Sequence, residues 1–309
     1  MTTFNINEME TSNNSSTVLV AGATGFLGTE ICRQLIEKNK KVKGLVRTTS
    51  DPAKVDRLKE MGVETVTGDL KDKGSIIEAL NGVSAVISTA SSTISRQEGD
   101  SIQTVDEEGQ TNLVNAAAEA GVDRFVFISV YPMQDEMPLQ DAKRNVEKLL
   151  VESGLNYTIL QPTYFMEIWL GPALGFDYQH AKATIYGEGN NPLSWISLQD
   201  VASFAVSSLD NGKAQNRIFE LGGPEALSPN EVVHIFEKVK KENFELKFIP
   251  EEGLTAQKEA AQDPLSKSFA SLMLSVAHGN KIDMKDTLKV FPMKLMSVSD
   301  YANSVGISA

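Results

Sequence analysis

VLVAGATGFLGTEICRQLIEKN, residues 18–39, decides the fold. Its first six residues, 18–23, form an unbroken apolar run of strand length, as in a strand covered on both faces. From Phe26 the spacing changes, and Leu27, Ile31, Leu35 and Ile36 fall on one face of a helix over 26–39. Between strand and helix stand Gly22, Gly25 and Gly28. Glycines placed there let the backbone turn tightly and approach a pyrophosphate, which rests on the amide groups at the helix N-terminus. Gly22-Ala23-Thr24-Gly25-Phe26-Leu27-Gly28 is therefore a candidate phosphate-binding loop. Its spacing is G-x-x-G-x-x-G rather than G-x-G-x-x-G.

The same rhythm continues outward. KVKGLVR (41–47), VETVTGD (63–69), SAVISTA (84–90), RFVFISV (124–130) and YTILQP (157–162) predict further strands. Helical stretches at 53–62, 75–82, 101–120 and 142–154 stand between them. Such alternation implies right-handed crossovers and a parallel sheet with helices on both faces. The expected class is α/β: a Rossmann-type doubly wound parallel sheet with a smaller C-terminal substrate-binding region.

After Pro162 the rhythm breaks. TYFMEIWLGPALGFDYQH (163–180) predicts a short helix and loops. Strands are expected at 183–187, 193–198, 217–223 and 244–250, and a helix at 199–212. Ser228-Pro229-Asn230-Glu231 is a capping box that opens another helix. Residues 254–309 read as mostly helical. The expected division is a flexible tail over 1–16, a dinucleotide-binding Rossmann domain over 17–161, and a substrate-binding region over 162–309. Some segments of the last are expected to return to the sheet.

Composition narrows the function classes. Lys and Arg number 29 against 41 Asp and Glu, a net charge of −12, which disfavours nucleic acid and anionic membrane as general partners. The single cysteine, Cys32, excludes an internal disulfide and fits a reducing compartment. His180, His234 and His278 lie far apart without metal-ligand spacing, so no metal is expected. No apolar run approaches the roughly 18 residues of a membrane span. MTTFNINEMETSNNSST (1–17) lacks the basic and apolar segments of a signal peptide. The expected setting is cytoplasmic, without membrane insertion.

The second strand ends at Arg47. An acidic residue near this point would bind a ribose 2′-OH, whereas a guanidinium suits a 2′-phosphate by charge and by its planar donor fork. NADP(H) is thus the expected cofactor, with Thr48 and Lys54 as helpers, the alternative being that Arg47 is a solvated surface arginine. Gly68-Asp69-Leu70 ends the third strand, and the Asp69 carboxylate is placed either to accept from an adenine amino group or to cap a turn. Ser88-Thr89-Ala90 puts small residues beside the expected cleft.

Taken together, GATGFLG, VR after the second strand, GDL after the third, FVFISV, AKRNVEKLLVESGLNYTILQPTYFME and WISLQDVA resemble the atypical short-chain dehydrogenase/reductases of the NmrA-like kind. That group includes isoflavone-reductase-like enzymes, NADPH quinone oxidoreductases and photosystem assembly factors. The resemblance covers about residues 17–225. It implies a Rossmann-type sheet, an NADP cofactor, and Pro162 and Thr163 in the segment that passes the nicotinamide.

It also frames a departure. Better-known short-chain reductases use a serine and Tyr-x-x-x-Lys. Here Lys143 has the lysine's place, but Leu139 stands four residues earlier, and leucine transfers no proton. Isoflavone-reductase-like members also lack the tyrosine. By that analogy Lys143 is a general acid/base, if burial or a neighbouring cation lowers its pKa. It could instead hold the nicotinamide ribose or pair with Glu147 one turn on. Ser129 matches the family serine or else satisfies the backbone at a strand end, and Tyr131 and Tyr164 either supply a phenol from a loop near the cleft or simply pack. Phe165, Met166 and Trp169 either wall a substrate pocket or pack in the core.

Three functions remain open from sequence. One is an NADPH-dependent reductase of quinones, enones or similar acceptors. Another is a non-catalytic NADP(H)-sensing regulator or assembly factor with a protein partner. The third is a sugar-nucleotide epimerase, which the missing tyrosine disfavours.

Overall fold

The computed structural model describes residues 16–94, 97–134 and 136–306. The tail expected at 1–16 lies, except for Ser16, outside them. The first half alternates as the spacing requires: β1 (Thr17–Ala21), α1 (Phe26–Glu37), β2 (Lys41–Val46), α2 (Pro52–Glu60), β3 (Glu64–Thr67), α3 (Lys73–Ala79), β4 (Ala85–Ser88), α4 (Glu108–Glu119), β5 (Arg124–Ile128), α5 (Pro138–Glu152) and β6 (Tyr157–Pro162). Then follow β7 (Tyr164–Phe165), α6 (Met166–Trp169), β8 (Phe176–Asp177), β9 (Lys182–Tyr186), β10 (Leu193–Ile196), α7 (Leu198–Asp210), β11 (Arg217–Leu221), β12 (Ala226–Leu227), α8 (Pro229–Lys240) and β13 (Glu245–Ile249). The last helices are α9 (Glu251–Ala260), α10 (Pro264–His278), α11 (Lys285–Val290) and α12 (Val298–Gly306).

Seven strands pair in parallel in the order β3-β2-β1-β4-β5-β6-β11. On one face, Ile31, Cys32 and Leu35 of α1 and Val201, Phe204 and Ala205 of α7 cover Val18, Val20, Val126 and Leu160. On the other, Ile76, Leu113, Val114, Val146 and Leu150 cover Leu19, Val86, Phe125 and Phe127. Neighbouring strand residues are therefore buried on opposite faces, which is why the strands read as unbroken apolar runs. The strand order reverses between β1 and β4, and a crevice opens there beyond the carboxyl ends of the strands.

Helix α7 and strand β11 come from beyond Pro162 yet belong to this sheet and its helical layer. The rest of the second half builds two small sheets, β12-β10-β7 and β13-β9-β8. Their core includes Tyr164, Trp195, Phe236 and Tyr301. The capping box forms as expected: Ser228 Oγ accepts from the Glu231 N–H at 3.2 Å, and Glu231 Oε2 accepts from the Ser228 N–H at 2.8 Å.

One expected helix, 101–120, is corrected. Its first part, Ile102–Glu107, is a π-turn, and the Glu108 N–H reaches back to Gln103 O. Buried Ile102, Val105 and Asp106 satisfy an α or a π turn alike, so periodicity does not separate the two. Among the described residues no helix is long and apolar enough to cross a membrane.

Candidate functional site

A cleft of about 440 Å³ occupies the switch point. The glycine loop forms its floor. Gly22 has φ +84°, and a Cβ there would lie 2.7 Å from Thr89 Oγ1 and 2.8 Å from Ala90 N. Only glycine fits both constraints. The Gly25 N–H donates to Gly22 O at 3.0 Å and closes the turn. Gly25 is also the N-cap of α1; no side chain caps it and no acidic residue stands in the first turn. The first amides of α1 are thus left for an anion in the cleft.

At the far end Arg47 and Lys71 meet one carboxylate. Arg47 Nη1 donates to both oxygens of Asp100, at 3.0 and 2.9 Å, and Lys71 Nζ donates to Asp100 Oδ1 at 2.7 Å. Gln97 Nε2 adds a bond to Thr49 O at 2.8 Å, so the segment after β4 is tied to the loop after β2. Burial raises the Asp100 pKa, but the hydrogen bonds from Lys71 and Arg47 outweigh it and hold the carboxyl below its ordinary 3.8. A carboxylate whose pKa is depressed on folding stabilises the protein above its unfolded value, and that contribution fades as pH falls through the folded value. Asp100→Asn should therefore lower the melting temperature at pH 7, and the gap should close as pH falls below 3.8. A thermal-shift series from pH 3 to 8 checks this; a gap that persists in acid would mean that charge is not what Asp100 contributes.

At the middle of the cleft lies Lys143, only 6% exposed. Its Nζ donates to Ile128 O at 3.3 Å and sits 5.2 Å from the Phe127 ring centroid. Burial pushes its pKa down, Asp106 and Glu147 push it up, and Arg144 pushes it down; the net direction is down. Glu147 is not hydrogen-bonded to Lys143. It accepts from Arg144, and from Gln161 Nε2 at 3.0 and 3.1 Å. Arg144 also donates to Val130 O at 2.6 Å and to Ser129 Oγ at 3.4 Å.

Leu139 lines the cleft and packs with Ile102, Met137 and Ala142, against Leu265 and Leu272 of α10. Its N–H donates to Ser268 Oγ at 3.0 Å. The place of the family tyrosine is thus an apolar wall and a docking point for α10.

Of the residues singled out from sequence, Gly22, Thr24, Gly25, Phe26, Leu27, Arg47, Lys54, Asp69, Leu70, Thr89, Ala90, Ser129, Lys143 and Phe165 line the cleft. Ala23 and Gly28 stand behind the loop and shape it. Ser88, fully buried, donates to Gln110 Oε1 at 2.8 Å behind the cleft wall. Asp69 Oδ1 accepts from the Lys71 N–H at 2.9 Å and so also makes a turn. Pro162 lies within β6, paired with Leu221. Thr163 is buried, and its hydroxyl donates to the carbonyls of Ser194 and Leu221. The Tyr131 phenol does not line the cleft; burial and Glu220 raise its pKa.

Of its two readings, loop phenol or packing residue, Tyr164 takes the second and lies in the core. It is 1% exposed, stands edge-on to Trp169 at 5.2 Å, and donates to Ser275 Oγ at 2.7 Å. Met166 is likewise fully buried, and Trp169 packs against Tyr186. Sequence reasoning missed Asp100 and Asp106. Asp100 lies 53 residues from Arg47, and no local pattern marks either carboxylate.

The NmrA-like family model matches residues 14–302. The chain belongs to the NmrA-like family. Among its relatives is photosystem II assembly factor Ycf39 of Synechocystis, 35% identical over 75% of this chain and 70% of that protein. The NAD(P)H azoreductase of Xenophilus azovorans is 32% identical over 70% of this chain and 71% of that one. Among solved structures, NADPH-dependent quinone oxidoreductase QOR2 from Escherichia coli, complexed with NADPH, superposes with TM-score 0.76 and 22% identity. That match covers 93% of this chain and 99% of the other. The chain's relatives therefore include a reductase and an assembly factor, and likeness alone does not choose between them.

Proposed function

We propose that the chain is an NADPH-dependent reductase of small apolar quinones, enones or similar carbonyl-type acceptors. The observation that carries this reading is a buried lysine with a lowered pKa inside the cleft that the glycine loop floors. The residues fit the dinucleotide: a loop that a Cβ would fill, uncapped α1 amides, and Arg47 and Lys54 at the adenosine end. NADPH, when bound, supplies hydride. The protein does the rest. The α1 amides hold the pyrophosphate, and Arg47 reads the 2′-phosphate. Ile128, Leu139, Phe165, Ile168 and Leu198 exclude water and favour an apolar acceptor. Ser129 Oγ binds the acceptor oxygen and Lys143 Nζ delivers the proton. The cytoplasmic setting belongs to the same proposal, as does the division into a dinucleotide-binding unit over 17–161 and a substrate-binding region over 162–309 from which α7 and β11 return to the sheet.

Arg47→Ala should weaken NADPH binding about 10- to 100-fold, the value of a lost charge-assisted bond, and leave NADH binding nearly unchanged. Alanine is preferred to aspartate, which would face Asp100. Titration calorimetry with both nucleotides checks this, and equal losses would point to damage to the loop rather than loss of phosphate recognition.

A second reading rests on Leu139, which cannot serve as the family tyrosine, and on the likeness to assembly factors. In it the chain binds NADP(H), reduces nothing and engages a protein partner according to cofactor state. NADPH consumption against a panel of quinones, enones and aldehydes separates the two. Turnover supports the reductase. Absence of turnover across the panel, with NADPH binding confirmed, moves the assignment to the second reading.

A further inference from the structure

Asp106 has no part in the chemistry just proposed, yet it is a fully buried carboxylate beside the cleft. It lies on the π-turn 102–107, next to Val105 of the cleft wall. Its Oδ2 accepts from the Ser92 N–H at 3.0 Å and the Ser92 hydroxyl at 2.6 Å. Its Oδ1 has no hydrogen-bond partner among the described residues. A buried carboxylate oxygen in that state is costly unless a positive charge faces it.

The π-turn packs against α5, and the cation on which Asp106 acts there is Lys143. Among the described residues Lys143 is also short of partners, with three N–H donors and one long bond to Ile128 O. The other charges acting on it are Glu147 and Arg144 of its own helix. Glu147 is already held by Arg144 and Gln161. Charges on neighbouring elements are engaged elsewhere: Glu107 with Asn145 at 2.8 Å, and Lys267 of α10 with Glu136 at 3.1 Å.

We propose that Asp106 is the counter-ion of Lys143, a positioning residue that keeps the ammonium charged and available to the cleft. No direct ion pair joins the two, so the attraction leaves the ammonium donors untied. After Nζ gives a proton to an acceptor oxygen, the neutral amine regains one from solvent, and Asp106 favours that return. Only this last consequence rests on the reductase reading; the charge relation between the two residues does not.

The test labels the full-length protein with lysine carrying 13C at Cε and follows the Lys143 signal by NMR across pH, assigning it by its loss in Lys143→Met. Asp106→Asn, which keeps shape and removes charge, should lower the Lys143 midpoint by about one pH unit, ten-fold in its ionisation constant. Ser92→Ala, which loosens the loop but keeps the charge, should leave the midpoint in place. A shift of less than about 0.3 unit in Asp106→Asn overturns the proposal. So does an equal shift in Ser92→Ala, which would trace the effect to loop movement. If Asp106→Asn does not fold, the unaltered protein decides. The 13C-labelled Asp106 carboxyl should show an inflection at the Lys143 midpoint that Lys143→Met abolishes, and its absence overturns the proposal. If turnover exists, its fall with rising pH should move to lower pH in Asp106→Asn by the same amount. A midpoint that shifts in a protein without turnover supports the counter-ion and removes the reductase reading alone.

Discussion

If the chain is the proposed reductase, replacing Lys143 by methionine should lower kcat for NADPH-dependent reduction by about 10³-fold, within the range general acid catalysis supplies. Methionine matches the length of the stem and leaves no donor. The substitution should not unfold the protein. Lys143 is buried against Phe127 with a single 3.3 Å bond, and placing an ammonium there is costly. The cost of losing it is confined to Asp106, which is left without a facing cation. KM for NADPH should rise by much less than kcat falls, because the residues proposed to hold the dinucleotide, the glycine loop and Arg47, line the cleft elsewhere. Steady-state kinetics with a quinone that the parent reduces gives both numbers. A kcat within about three-fold of the parent would remove Lys143 from proton transfer, since even a weak general acid contributes more than that.

The second large effect lies behind the cleft. A Cβ on Gly28 would stand 2.1 Å from Gly22 O and 2.7 Å from its carbonyl carbon. The obstacle is backbone, so no rotamer change relieves it. Gly28→Ala must push α1 away from the loop or distort the Gly22 peptide. The expected cost is at the upper end of about 1–3 kcal/mol for overpacking, with NADPH binding lost. Gly212→Ala is the control, because nothing lies within 4 Å of the Cβ it would add. Chemical denaturation should separate the two variants clearly, and calorimetry should show NADPH binding only in the control. If Gly28→Ala melts with Gly212→Ala and still binds NADPH, the loop is not the rigid cradle its geometry describes.

The parallel sheet was legible because each of its inner strands is covered on both faces, which writes an apolar run that alternation cannot mimic. The glycine loop was legible because its backbone demands are local. What stayed hidden depends on distance. Tyr164 was expected near the cleft because it follows β6, but the side chain turns into the core formed by β10, α8 and α10 and finds Ser275. Lys143 could be placed on its helix by spacing, but its burial comes from the π-turn and β5, which spacing does not encode. The pairing of Arg47 with Asp100 joins two loops that no periodicity relates. The π-turn escaped notice because its apolar positions also satisfy an ordinary helix.

The return of α7 and β11 to the sheet bears on how the molecule is made. A nascent chain that has reached Pro162 holds six strands in order, but α1 has only sheet beneath it and β6 is an open edge. Ile31, Leu35 and Leu160, fully buried in the finished protein, lack their cover from Val201, Phe204 and Phe219 until the ribosome has passed Leu221. Pairing across so long a separation is slow and leaves apolar surface in view while it waits. The half that carries the glycine loop therefore depends for completion on the half that carries the pocket wall. Synthesis interrupted between them should yield a sticky intermediate and not a small working domain.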